Sequence, residues 1–295
     1  MTKDFRGVFT VMITPTHPDG SVNLDALRRF TDWQIVQGIH GLIPLGSTGE
    51  FLSLDDADRT AVAKCVIDTA AGRVPVLVGT GAEDTREVVR RSLEAQTLGA
   101  DGVMVIPPFY ATPTEDELVA HYSAIAGAID IPVMVYNNPA TSNVDLLPET
   151  VARIARIAGC DYIKESTMDV TRIRDILLLA GDDMTVFGGI MGFESFVEGA
   201  MGWVAVASNV APAAMVEIFD RTMAGDLAGA KAVYHAYLPV IRAVGGQAYV
   251  GGSKALLTHM GFDAGTPLPP RLPVTPEADA RLKAMVAEFG LSFAG

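Results

Sequence analysis

Residues 132–138 read PVMVYNN and residues 160–166 read CDYIKES, and these two stretches give the clearest indication of the fold. Each is a short apolar run that ends in polar residues, as expected for a strand buried on both faces of a parallel sheet. Runs of the same character cover residues 7–14, 41–46, 74–81, 102–108, 184–189 and 203–209. The sequence therefore predicts eight parallel strands.

Helical patterns separate the predicted strands and fill the C-terminal part of the chain. Residues 23–37 and 53–71 each stop at a glycine, and residues 114–117 (TEDE) have the spacing of a capping box. The ends of successive strands lie 20 to 35 residues apart, which fits one helix per crossover. Four more helices are predicted at residues 213–224, 227–244, 253–260 and 276–289.

This order of elements predicts an α/β fold of the (β/α)8 TIM-barrel type. The barrel is expected to cover residues 1–225, and a C-terminal helical tail over residues 226–295 is expected to pack on it. An open, doubly wound sheet is the alternative. It is disfavoured because no G-x-G-x-x-G motif follows any predicted strand.

The composition excludes several classes of protein. A formal net charge of -13, with 22 Lys and Arg against 35 Asp and Glu, leaves no basic surface for nucleic acid. No apolar run approaches the roughly 20 residues that span a bilayer, and the N-terminus has no secretory signal pattern. Cys65 and Cys160 form no disulfide framework, so a soluble cytoplasmic protein is expected.

Lys164 is the first candidate for chemistry, because the active site of a barrel lies at the C-terminal ends of its strands. It is one of six lysines and the only one in a predicted strand. Desolvation disfavours the ammonium form of a lysine, and the free amine can form a Schiff base with a carbonyl. The alternative is a structural lysine paired with Glu165 or another carboxylate.

Tyr136 ends the strand before that of Lys164, so the two side chains are expected at the same level of the sheet. Imine formation and enamine protonation both need a nearby group that transfers protons, and a phenol can serve. Tyr136 is therefore predicted to be the acid/base residue. The alternative is a tyrosine that only contributes packing at the rim.

The GSTGE stretch at residues 46–50 is a candidate site for a carboxylate. Gly46 and Gly49 bound a turn whose backbone N–H groups can converge on an anion, and Ser47 and Thr48 add hydroxyl donors. We expect the charge of Glu50 to be favoured near the first turn of the next helix. The alternative is a tight turn that happens to contain these residues.

Two further strand ends supply weaker candidates. Gly189 could admit a close backbone approach to a ligand or merely form a turn, and Ser208 adds a hydroxyl. The five histidines are dispersed away from the predicted strand ends, so a metal site is not expected.

Taken together, these residues resemble the dihydrodipicolinate synthase / N-acetylneuraminate lyase family of pyruvate-dependent class I aldolases. The matching motifs span the chain: GSTGE at 46–50, PPFY at 107–110, YNNP at 136–139 and IKES at 163–166. The resemblance implies Lys164 as the Schiff-base residue and Tyr136 as the acid/base. It also implies that Thr48 and Ser47 bind the pyruvate carboxylate and that Tyr110 lies near a subunit interface of a homotetramer. No metal or organic cofactor is implied.

The second-substrate positions depart from the family pattern. Thr141 stands where the synthases usually carry an arginine that binds the carboxylate of the second substrate. Residues 188–193 read GGIMGF, which is apolar where sialic-acid lyases place acidic residues. We therefore expect a smaller or more apolar aldehyde, including an aromatic one, as the partner of pyruvate. The alternatives are dehydration of a 2-keto-3-deoxy acid through the same imine and a non-catalytic sensor of 2-oxo acids.

Overall fold

The structure is a computed structural model that describes residues 4–294. Eight parallel strands belong to one sheet in the order β2-β1-β8-β7-β6-β5-β4-β3, which is the order of a (β/α)8 barrel and not of a doubly wound sheet. The predicted fold class is therefore confirmed. The strands are β1 Gly7–Val11, β2 Gly41–Ile43, β3 Leu77–Gly79, β4 Gly102–Val105, β5 Val133–Asn137, β6 Tyr162–Glu165, β7 Thr185–Gly188 and β8 Gly202–Ala205.

Helices connect the strands and follow the last of them. Each strand ends one to four residues before its predicted end, because the apolar residues continue into buried loops and 3-10 turns. Thr114 forms the predicted capping box with Glu117. The helices are α1 Leu24–Val36, α2 Asp56–Ala70, α3 Thr85–Leu98, α4 Glu115–Ala126, α5 Pro139–Ser142, α6 Pro148–Ile154, α7 Thr171–Ala180, α8 Gly192–Val197, α9 Pro212–Met223, α10 Leu227–Ala243, α11 Tyr249–His259 and α12 Pro276–Phe289.

The chain divides into two compact units. The first unit comprises the residues up to Gly7 and Pro75–Val204. Its core contains Tyr122, Phe187 and Trp203, all fully buried. Nearly every strand residue of this unit is buried, as expected for the strands of a barrel, whose inner face is filled by side chains and whose outer face is covered by helices.

The second unit comprises Val8–Val74 and the described residues from Ala205 onward. The ring of Phe262, just after α11, stacks on Phe30 of α1 at 5.5 Å between centroids, and Phe293 lies 4.3 Å from Phe262. The residues that follow α11 and α12 therefore pack against α1. The predicted division at residue 225 stays a prediction.

No helix within residues 4–294 combines the length and the apolar character that crossing a membrane requires.

Candidate active site

Lys164 and Tyr136 lie side by side in the first unit. The parallel pairing of β5 with β6 sets Tyr136 directly opposite Lys164. Both side chains are only 5 % exposed, and Lys164 Nζ lies 3.9 Å from the centroid of the Tyr136 ring. An ammonium over an aromatic face is attracted by the ring quadrupole. The sheet register thus brings together the amine and the phenol that the sequence placed at neighbouring strand ends.

No carboxylate forms an ion pair with Lys164 among the residues that the structure describes. Glu165 belongs to the opposite face of β6, because successive side chains of a strand alternate. Its carboxylate accepts hydrogen bonds from Asn137 Nδ2 at 2.9 Å and from the Thr167 backbone N–H at 2.7 Å. Burial raises the pKa of Glu165, and the hydrogen bonds from Asn137 and Thr167 oppose that rise.

The Tyr136 hydroxyl accepts a hydrogen bond from Asn138 Nδ2 at 2.9 Å. Asn138 precedes the short helix α5, and its carbonyl accepts from the backbone N–H groups of Thr141 and Ser142, at 3.0 Å each. The Thr141 hydroxyl donates to the same carbonyl at 3.3 Å. Thr141 is exposed, and its hydroxyl takes part in the local turn.

The GSTGE turn lies in the second unit and is a 3-10 helix over Ser47–Gly49. Leu45 and Glu50 flank it with positive φ angles of 60° and 58°, a conformation that costs free energy in residues other than glycine. Thr48 is buried and Ser47 is half-buried. A side chain at Gly49 would lie 3.0 Å from the Met12 carbonyl oxygen, so this position favours glycine.

Glu50 differs from the sequence expectation. It does not lie in the first turn of α2, which begins at Asp56. Its carboxylate instead accepts from the Leu268 backbone N–H at 2.6 Å and forms an ion pair with Lys254 Nζ at 2.8 Å. The left-handed backbone at Glu50 turns the side chain toward the C-terminal part of the chain, so Glu50 anchors the turn there.

Tyr110 follows β4 in the first unit, and its side chain is 89 % exposed. The backbone around it is fixed, because the Glu83 carboxylate accepts from the N–H groups of Phe109, Tyr110 and Ala111 at 2.9, 3.1 and 2.6 Å. These three bonds hold the pKa of Glu83 below its usual value, against the effect of burial.

The remaining predicted residues occupy tightly packed positions. The Ser208 hydroxyl, fully buried in the second unit, donates to the Ala205 carbonyl at 2.9 Å. Gly189 follows β7 in the first unit, where a Cβ would collide with Ser166 Oγ. Ile190 and Met191 line a pocket together with Glu165 on the side of β6 opposite to Lys164.

Sequence reasoning missed Asn138 as the partner of Tyr136, and it missed Glu83 and Lys254. Asn138 lies within the YNNP motif, so its proximity to Tyr136 could have been inferred. Lys254 is the one lysine of the apolar segment YVGGSKALL at residues 249–257, which is a signal for a buried, paired cation. Within residues 4–294, no group of three or more His, Cys, Asp or Glu side chains is placed to hold a metal ion.

Comparison with known proteins agrees with this fold. The model of the dihydrodipicolinate synthetase family matches residues 4–289. A 4-hydroxy-tetrahydrodipicolinate synthase of Anaeromyxobacter dehalogenans is 37 % identical over 298 residues, which cover 98 % of this chain and 99 % of the relative.

Solved structures give the same result. A chloride-inhibited dihydrodipicolinate synthase from Acinetobacter baumannii, complexed with pyruvate, superposes with a TM-score of 0.94 at 31 % identity. The match covers 97 % of this chain and 99 % of that one. A prophage protein of the dihydrodipicolinic acid synthase family from E. coli K12, also in complex with pyruvate, has a TM-score of 0.91 at 30 % identity, with coverage of 97 % and 99 %.

This chain is a (β/α)8 barrel with a buried lysine beside a tyrosine, and these enzymes match it over nearly its whole length. It is a carbon–carbon lyase of the class I aldolase type, as predicted. The chain belongs to the dihydrodipicolinate synthetase family.

Proposed function

We propose that Lys164 forms a Schiff base with pyruvate and that the enzyme then joins pyruvate to an aldehyde, or cleaves such a product. The observation that carries this proposal is the state of the Lys164 amine. It is buried, it lies over the Tyr136 ring, and no described carboxylate pairs with it. An amine that is removed from water and unpaired is available as a nucleophile.

Tyr136 is proposed as the acid/base. The Lys164 amine adds to the pyruvate carbonyl to give a carbinolamine, which loses water when the Tyr136 phenol protonates its hydroxyl. The resulting imine withdraws electrons from the adjacent methyl carbon, which loses a proton and becomes the enamine nucleophile. The enamine then attacks the aldehyde carbon, and the reverse sequence cleaves the product.

The pyruvate carboxylate is proposed to bind at the GSTGE turn. Thr48 and Ser47 would donate their hydroxyls, Gly46 and Gly49 would let the backbone approach, and Ser47 could also relay protons. Gly189, Ser208 and Thr141 are proposed as further substrate contacts, and Tyr110 as a contributor to catalysis near a subunit interface. These roles rest on the family resemblance and on residue type.

The partner aldehyde is proposed to lack a carboxylate. A buried carboxylate favours a bidentate arginine, a charge-assisted contact worth about 1.5–3 kcal/mol. Thr141 offers one hydroxyl, which already donates to the Asn138 carbonyl. The relatives' name favours the synthase reaction instead, so a screen of aldehydes with and without a carboxylate, coupled to pyruvate consumption, distinguishes the two. Dehydration of a 2-keto-3-deoxy acid shares the imine and is distinguished by its product.

The imine itself is tested by incubating the folded protein with pyruvate and borohydride, digesting it, and locating the adduct by mass spectrometry. A reduced pyruvate adduct on Lys164 is expected. An unmodified Lys164 in folded protein would overturn the proposal, and a ligand-induced rise in Tm without an adduct would favour the 2-oxo-acid sensor. A homotetramer and a cytoplasmic location are proposed from the resemblance; sedimentation velocity tests the first.

A further inference from the structure

Asn138 follows Tyr136 by two residues, and its side chain reaches back to the tyrosine. Its Nδ2 donates to the Tyr136 hydroxyl oxygen at 2.9 Å. Because the oxygen accepts this bond, the bond to Asn138 does not use the proton of the phenol. We propose that Asn138 is a positioning residue: it fixes the phenol beside Lys164 and stabilises the phenolate once the proton has left. The inference rests on the function proposed above.

The backbone of Asn138 is suited to this role because hydrogen bonds to its carbonyl oxygen fix it. Its carbonyl accepts from the N–H groups of Thr141 and Ser142, and from the hydroxyls of the same two residues at 3.3 and 3.0 Å. The side chain therefore starts from an anchored peptide, and a donor held by such packing loses little conformational entropy when it acts. Thr141 thus takes part in holding Asn138, at the position where the synthases usually carry an arginine.

The amide of Asn138 contacts Tyr136, which itself lies beside Lys164. Tyr136 lies opposite Lys164 in the sheet register, and the Lys164 amine lies over the tyrosine ring. A phenol that could rotate or bond elsewhere would lose its alignment with the carbinolamine hydroxyl. The amide of Asn138 carries no charge, so it can stabilise a phenolate without forming an ion pair with it.

The chemical step balances without any other reactant. In the carbinolamine, the nitrogen lone pair forms the C=N bond while the C–O bond breaks, and the departing hydroxyl takes the proton of the Tyr136 phenol. The products are the protonated imine of Lys164, one water molecule and the Tyr136 phenolate, which accepts the Asn138 N–H bond. The phenolate then takes a proton from the methyl carbon of the imine, which restores the phenol and leaves the enamine.

The test measures the rate of imine formation with pyruvate in Asn138→Leu, in Tyr136→Phe and in the double variant. Leucine keeps a similar size and removes the donor; Asn138→Ala serves if Leu disturbs folding, which circular dichroism and Tm will report. We expect the saturated rate of imine formation to fall about 10- to 100-fold in Asn138→Leu, with the half-saturating pyruvate concentration unchanged. In the Tyr136→Phe background, the Asn138 substitution should have no further effect, because the hydroxyl through which it acts is gone.

Two results would overturn the proposal. One is an Asn138→Leu enzyme that forms the imine at the wild-type rate. The other is an Asn138→Leu substitution that lowers the rate by the same factor in the wild-type and the Tyr136→Phe backgrounds, which would make Asn138 a structural residue that acts independently of Tyr136. The wild-type protein is treated with pyruvate and borohydride in the same experiment. If it forms no adduct, the proposed function fails; if it does, a negative result for Asn138 concerns the positioning role alone.

Discussion

Lys164 and Lys254 are both buried lysines, and their surroundings differ. Lys254 on α11 forms an ion pair with Glu50 and donates to the Thr266 carbonyl, both at 2.8 Å. The Lys254 and Glu50 side chains are only 1 % and 0 % exposed. Burial lowers the pKa of Lys254, and Glu50 opposes that effect. Lys164 on β6 has the Tyr136 ring beneath its amine and no described carboxylate partner.

This difference distinguishes Lys254, which is held in an ion pair, from Lys164, the proposed Schiff-base residue. A buried cation is tolerated when an anion and hydrogen-bond acceptors replace its water shell, and such a pair is costly to break. A buried amine that no anion holds can instead reach the carbonyl carbon of a substrate. Burial alone therefore does not distinguish Lys164, the proposed Schiff-base residue, from Lys254; the absence of a described carboxylate partner does.

The largest expected effect is the loss of chemistry in Lys164→Met. Methionine keeps the length and apolar stem of the side chain but has no amine, so no imine can form. Activity should fall roughly 10⁴-fold or more, and borohydride with pyruvate should leave no adduct at this position. The free energy of unfolding, measured by urea titration, should stay equal or rise slightly, because an unpaired buried polar group is removed.

Lys254→Met should give the reverse pattern. It leaves the Glu50 carboxylate buried without its cation, so the free energy of unfolding should fall by about 3–5 kcal/mol. The folded fraction should still form the imine on Lys164. Urea titration and adduct mapping check the two halves of this expectation.

The matched control is the Glu50→Gln/Lys254→Met double variant. A neutral glutamine needs no cation, so part of the lost stability should return. A loss below about 1 kcal/mol in Lys254→Met would mean that the ion pair contributes little and that the contrast between the two lysines is wrong.

A smaller effect is expected from a third buried base, His121 on α4. Its Nδ1 lies 2.8 Å from the Thr85 hydroxyl, and burial lowers its pKa to about 4 from 6.5. The unfolded chain therefore binds more protons than the folded one between these values, and stability falls as the pH falls. From about pH 7 to about pH 5 this group should remove about 2 kcal/mol.

His121→Asn should lose less stability over the same pH range, because asparagine does not titrate. Comparing urea titrations of the two proteins at both pH values isolates the contribution of His121. Equal losses in the two proteins would assign the pH dependence to other groups.

Much of the fold was predictable from local sequence. All eight strands and the four C-terminal helices lie where the apolar runs and helical patterns placed them, and α12 has the predicted bounds. The strands end before their predicted ends because an apolar run indicates burial and not strand pairing. The chain stays buried in the loops that follow the last hydrogen bond of the sheet.

The site was predictable only where strand neighbours define it. The pairing of Tyr136 with Lys164 follows from consecutive parallel strands, and the register bears it out. Glu50 and Leu268 are separated by 218 residues, and no periodicity in the sequence connects them. The role of Glu50 as an anchor therefore could not be inferred from its place beside the GSTGE turn.

The two glycines at the end of β7, Gly188 and Gly189, limit how this enzyme could acquire new substrates. A Cβ at Gly188 would lie 2.4 Å from Ser195 Oγ, and one at Gly189 would lie 3.0 Å from the Glu165 carbonyl oxygen as well as colliding with Ser166. Ser166 and Ser195 would have to be replaced together with them. Directed evolution of specificity should therefore leave the glycine pair unchanged.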